Sequence, residues 1–164
     1  MDSEEPPNVR VACSGDIDEV VRLMHDAAAW MSAKGTPPGT SRGSTGHSRR
    51  LRPEIRAPSR SCSDGIVAVA PCRPRIRVLA DALKGEAAYL HKLAVRRTHA
   101  GRGVSSALIE ACRHAARTQG CAKLRLDCHR TCVAYTSGSD SPTSTLFNPG
   151  WDPTFIAERL ELEI

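Results

Sequence analysis

The residues best suited to chemistry lie in one turn, Ala100-Gly101-Arg102-Gly103, which opens directly into a helical pattern beginning Val104-Ser105-Ser106. The first turn of a helix presents backbone N–H groups with no partner inside the helix, together with the positive end of its dipole. Gly101 and Gly103 have no Cβ to hold a ligand away, so the turn suits a phosphate or pyrophosphate. Arg102 lies between the glycines, and Arg96 and Arg97 lie just upstream, where they can add charge-assisted hydrogen bonds to the same anion. The two best-known phosphate loops are excluded. No Lys with a following Ser or Thr comes after Gly103, and no Gly-x-Gly-x-x-Gly is present. A Gly-x-Gly before a helix also serves simple tight turns, so the flanks must decide its use.

Groups for proton transfer are sparse. Glu86 precedes an alternating apolar run, His91 lies within it, and Asp127 lies in the next such run. A metal site is not expected: Cys128-His129-x-x-Cys132 is the tightest cysteine grouping and matches no standard zinc spacing. Seven cysteines, an odd number without a secretory signal, point to reduced thiols and a cytoplasmic chain.

The elements that position these groups are legible in the periodicity. Residues 89–95 alternate as a strand, and residues 122–128 alternate as another. Between them Val104, Ala107, Leu108, Ala111 and Ala115 recur at helical spacing, and Gly120 supplies a stop. Residues 9–13 read as a first strand. Ser14-Gly-Asp-Ile-Asp offers capping residues, and Ile17, Val20, Val21, Met24, Ala27, Ala28 and Met31 follow at helical spacing. Near the other end Leu160, Leu162 and Ile164 alternate with Arg159, Glu161 and Glu163.

Residues 89–111, YLHKLAVRRTHAGRGVSSALIEA, resemble the acetyl-CoA-binding core of the GNAT N-acetyltransferase superfamily. In that family a central strand ending Leu-x-Val leads into an (Arg/Gln)-x-x-Gly-x-(Gly/Ala) loop whose amides hold the cofactor pyrophosphate. Leu93 and Val95 match the strand end and Gly103 the first loop glycine, while Ala100 and Ser105 depart from the usual Arg or Gln and Gly or Ala. The resemblance implies acetyl-CoA as cosubstrate, held by Leu93, Ala94, Val95, Gly101, Arg102, Gly103, Val104, Ser105 and Ser106. It implies transfer of acetyl to a primary amine of a small molecule or protein, with Glu86 and His91 as candidate bases. The family's thiolate-protonating Tyr, and the Asn five residues before it, fall by counting at Thr136 and Thr131; Tyr135 lies one position away, about 100 degrees around a helix. The implied fold is α/β (α+β), a mixed, mostly antiparallel central sheet flanked by helices, with the cofactor entering where two strands splay. A single domain over residues 9–164 is expected.

Composition complicates this picture. The chain has 164 residues, a net charge of +5 and 40% hydrophobic content. Its basic charge is concentrated: nine arginines between residues 42 and 77 face only Glu54 and Asp64. No aromatic residue accompanies them, so base stacking is unsupported and a nucleic-acid partner is not expected. Segments 36–60, 70–80 and 130–146 lose the family pattern abruptly, and the pattern then resumes. Compensated reading-frame shifts in GC-rich coding DNA produce such segments, and 19 arginines against four lysines fit that source. The alternative function is therefore a catalytically impaired acetyl-CoA-binding relative or, ranked behind it, a basic nucleic-acid-binding module. No apolar run reaches the ~18 residues of a membrane span.

Overall fold

The computed structural model describes residues 8–35, 58–62, 65–70, 72–73, 86–90, 92–129, 143–148 and 156–164. His91, Thr131, Tyr135 and Thr136 lie outside the described residues, as do most of 36–60, 74–80 and 130–142. Where described residues fall in the segments that depart from the family pattern, they are strands, apart from Ala70.

Two sheets form. In the first, β1 (Asn8–Val11), β2 (Pro58–Cys62), β3 (Gly65–Val69) and β6 (Ala94–Val95) pair antiparallel in that spatial order. In the second the order is β4 (Cys72–Arg73), β5 (Ala87–Leu90), β7 (Lys123–His129), β9 (Ala157–Glu163) and β8 (Thr143–Phe147). Of the described pairings only β5 with β7 is parallel. The fold is thus mixed and mostly antiparallel, divided between two sheets.

Helix α1 (Ile17–Ala33) buries Val20 and Leu23 against Ile66, Val69 and Ala94. Helix α2 (Val104–Thr118) buries Val104, Leu108, Cys112 and Ala116 against Val67, Ala88, Leu90, Leu124, Leu126 and Leu160. The inward face of α2 is rotated from the expected one: Cys112 and Ala116 are fully buried, while Ala107, Ala111 and Ala115 are only partly covered. The helix packs against strands of both sheets, so the i, i+4 row nearest the core wins over the broader alanine stripe. Leu108 alone, at 0% exposure, contributes about 2–3 kcal/mol of apolar burial. Gly120, at φ +74°, ends α2 with Cys121 N–H bonded to Ala116 O (3.1 Å) and Gly120 N–H to Arg117 O (3.0 Å). That crossed pair is the Schellman closure, and it satisfies carbonyls that α2 leaves open.

The expected strand over 89–95 is divided. Residues 87–90 belong to the second sheet and 94–95 to the first, and Lys92 between them sits at φ +53°. Alternation alone carried no sign of the break, because a residue with a positive φ preserves the apolar pattern on either side.

Candidate cofactor-binding site

The divided strand creates a wedge. β5 and β7 pair in register from Ala87 with Lys123 to Leu90 with Leu126. Past that point β6 turns away to pair with β3, Ala94 opposite Val69 and Val95 opposite Ala68. β7 meanwhile continues to His129, paired among the described residues with β9 alone. Arg96 N–H bonds to Val67 O at 2.7 Å, so the first sheet continues one residue further. Because successive residues of a strand direct their polar groups to opposite edges, the N–H and C=O of Val95 point away from β3 into the wedge. Among the described residues no strand pairs with that edge of β6.

The chain then folds into a 3-10 turn, Arg97–His99, closed by His99 N–H on Arg96 O (2.9 Å), and reaches the glycine turn. Gly101 and Gly103 sit at φ +77° and +70°, a region open to glycine and costly for other residues. Among the described residues, a Cβ at either position meets nothing within 4 Å, so none of them fills the space over the turn. The first backbone bond of α2 runs from Ala107 N–H to Gly103 O (3.1 Å), which leaves the N–H groups of Val104, Ser105 and Ser106 ahead of the helical ladder. No side chain caps Gly103 and no acidic residue lies in the first turn, so α2 does not neutralise its own positive end. Buried Val104 anchors the turn to the core; Ser105 is half-buried and Ser106 exposed. This geometry fits a diphosphate.

The arginines divide their work. Arg102 is exposed at the turn. Arg96 and Arg97, expected from the sequence to join it, are directed to α1 instead. Arg96 bonds Glu19 at 2.8 Å, and the Arg97 guanidinium lies 4.2 Å from the centre of the Trp30 ring.

Glu86 lies at the far end of the ladder. It precedes Ala87, roughly 13 Å along the strand from Leu90 at ~3.3 Å per residue. Its carboxylate accepts from Arg125 at 2.8 Å, and its carbonyl accepts from the N–H groups of Ala122 and Lys123, both at 3.1 Å. That is the setting of a structural ion pair. Asp127 stands one residue past the last rung, beside the wedge, with Arg159 donating to both of its oxygens at 2.8 and 2.9 Å.

Sequence reasoning missed a polar network on the sheet face opposite α2. Register places Tyr89, Arg125 and Glu161 side by side, with Lys123 and Glu163 one step along. Arg125 donates to Tyr89 Oη (3.1 Å), Glu161 (2.7 Å) and Glu86 (2.8 Å). Burial opposes its charge, yet the bonds to Tyr89 and Glu161 hold its pKa above the ordinary guanidinium value. The Lys123 ammonium, 2.6 Å away, holds Glu161 below the usual carboxylate range, against the opposing effect of burial and with further help from Arg125. Bonds to Asp127 likewise raise Arg159, whose guanidinium also covers Phe147 at 4.6 Å. Alternation in 122–128 was the available signal for this face; which residues meet across it depends on register.

The sequence pattern of the Acetyltransferase (GNAT) family matches residues 50–134. The chain belongs to that family, whose chemistry is acyl transfer. An uncharacterized protein in the sul1 3′ region of Escherichia coli is 67% identical over 70 residues, 41% of this chain and 87% of that protein. A GNAT-family acetyltransferase from Listeria monocytogenes has the same fold, with TM-score 0.66 at 20% identity over 95% of both chains. N-acetylglutamate synthase from Neisseria gonorrhoeae, solved with coenzyme A and N-acetyl-glutamate, aligns over 98% of this chain with TM-score 0.68 at 16% identity. This chain spans only 36% of that enzyme. Among the described residues, no helix is long and apolar enough to cross a membrane, and no cluster of His, Cys, Asp and Glu forms a metal site.

Proposed function

We propose that this protein transfers an acetyl group from acetyl-CoA to a primary amine of a small molecule or protein, in the cytoplasm. The observation that carries the reading is the juxtaposition of the wedge past Leu90 and Leu126 with two positive-φ glycines at an uncapped helix start. The N–H groups of Val104, Ser105 and Ser106, with Arg102 beside them, receive the pyrophosphate. Leu93, Ala94 and Val95 line the wedge, and the edge groups of Val95 bond the extended arm that leads to the thioester. Acetyl-CoA, when bound, supplies an activated acyl group. The chain's part is to align that group and to take a proton from the amine. His91 falls in sequence between the two halves of the divided strand and is the candidate base there, whereas Glu86 is held by Arg125 away from the wedge.

Calorimetric titration with acetyl-CoA, paired with thiol release on a panel of amines, tests the reading. Saturable binding that Gly103→Leu abolishes, with turnover on at least one amine, supports it. The candidate carboxylates Glu86 and Asp127 are each bound by an arginine, which favours a second reading as a cofactor-binding relative without efficient transfer. Binding without turnover selects that second reading. Absence of acetyl-CoA binding, with steeply salt-dependent binding of DNA or RNA, would exclude both.

A further inference from the structure

The glycine turn is held in place from a distance. Glu19, on α1, directs Oε1 at the start of β3, where Ile66 N–H donates to it at 2.9 Å, and the same oxygen accepts from Arg96 Nη2 at 2.8 Å. Arg96 Nε returns to Ile66 O at 2.7 Å, and Arg96 N–H bonds Val67 O at 2.7 Å. The Glu19 carboxylate, the Ile66 peptide and the Arg96 guanidinium thus close a ring of three groups. Gly65 makes room for it: the residue sits at φ +88°, and a Cβ there would overlap the Glu19 carboxylate.

Arg96 is the residue at which β6 stops and the cofactor loop starts, since its carbonyl receives His99 N–H to begin the 3-10 turn. Fixing Arg96 therefore fixes the entry to the turn that ends at Gly103. Eleven residues along α1 from Glu19, close to three helical turns and so on the same face, Trp30 meets the Arg97 guanidinium. One face of α1 thus holds two consecutive residues of the loop.

We propose that Glu19 is a positioning residue for cofactor binding: through Arg96 it sets the orientation of the Gly101-Arg102-Gly103 turn, so that α1 determines how well the helix start fits a diphosphate. The proposal rests on the acetyl-CoA reading above. Glu19 touches no reacting atom, and its effect is transmitted through Arg96.

The test is acetyl-CoA affinity of the full chain by calorimetry, well below the melting temperature of each variant so that only folded molecules are read. Wild type, Glu19→Gln, Glu19→Ala, Arg96→Ala and the Glu19→Ala/Arg96→Ala double variant are compared. Each alanine variant is expected to weaken binding about tenfold, and the double variant no more than either alone, because both break one ring. Glu19→Gln, which keeps an acceptor for Ile66 N–H, should recover part of the loss. Gly65→Ala, which displaces the Glu19 carboxylate without altering it, should weaken binding as Glu19→Ala does. In the ligand-free protein the amide resonances of Gly101 and Gly103 should shift in Glu19→Ala. Unchanged affinity with a lowered melting temperature would show a merely stabilising pair, and losses that simply add in the double variant would show that Glu19 does not act through Arg96; either result overturns the proposal. Failure of the wild type to bind acetyl-CoA removes the cofactor reading and this proposal together; wild-type binding that the variants leave intact removes this proposal alone.

Discussion

Leu90 and Leu126 form the last rung of the β5–β7 ladder, and both side chains are buried beneath α2. The helix thereby clamps the two strands together at the point where they are about to part. Beyond the rung the strands separate into different sheets, so the same helix that closes the core also holds the wedge and, at its own start, the glycine turn.

The separation runs through Lys92 at φ +53°, a conformation disfavoured for any residue with a Cβ. Lys92→Gly is expected to leave stability unchanged or raise it by about 1 kcal/mol, and Lys92→Val to lower it by about 1–2 kcal/mol. Urea unfolding of the three proteins checks this order. Equal midpoints would mean that the chain passes from β5 to β6 by another path.

Gly101 and Gly103 separate conformation from contact. Among the described residues a Cβ at either site meets nothing within 4 Å, so the cost of Gly101→Ala or Gly103→Ala comes from the positive φ and should be about 1 kcal/mol each. Thermal melts should show two similar, small losses. A loss several times larger would place unseen packing over the turn, in the space assigned to the diphosphate.

The sequence made the turn and both described helices legible because each is written locally: glycines at 101, 103 and 120, and apolar residues at helical spacing. Alternation likewise marked β7 and β9. The break at Lys92 was hidden, since a change of sheet leaves the pattern of Tyr89, Leu90, Leu93 and Val95 readable as one strand. The direction of Arg96 and Arg97 was hidden for a different reason. Their partners, Glu19 and Trp30, are 77 and 67 positions away in the chain, and only the packing of α1 on β3 and β6 brings them near. The pairing of Glu86 with Arg125 is likewise set by the β5–β7 register, which the sequence alone does not carry.

Glu86 and Arg125 should therefore behave as parts of the scaffold. Glu86→Gln removes one partner from a partly buried pair and is expected to lower stability by about 1 kcal/mol, with acetyl transfer retained. Arg125→Met removes the cation shared by Glu86, Glu161 and the Tyr89 hydroxyl, leaving Glu161 with Lys123, and should cost about 3 kcal/mol. Chemical denaturation measures both, and an acetylation assay on the Glu86→Gln protein decides its role. Loss of turnover at unchanged stability would return Glu86 to the catalytic machinery.

Acid should loosen the fold at two identifiable carboxylates. The Arg10 guanidinium holds Asp16 well below the usual range by two hydrogen bonds of 2.6 and 2.9 Å, and Cys13 N–H adds a third at 2.7 Å against the opposing effect of burial. Glu161 is lowered chiefly by Lys123. In the unfolded chain both groups titrate near the ordinary value of about 4, so between that value and their folded values the unfolded state binds more protons. Their contribution is complete above the unfolded range and is lost as pH falls toward the folded values. Melting temperature is expected to hold steady from pH 7 to about 5 and to decline below about 4. Asp16→Asn and Glu161→Gln should each start from a lower plateau at pH 7 and decline less steeply, because the substituted amide has no proton to take up. A wild-type melting temperature that stays level down to about pH 2.5 would show that neither ion pair distinguishes the folded from the unfolded chain.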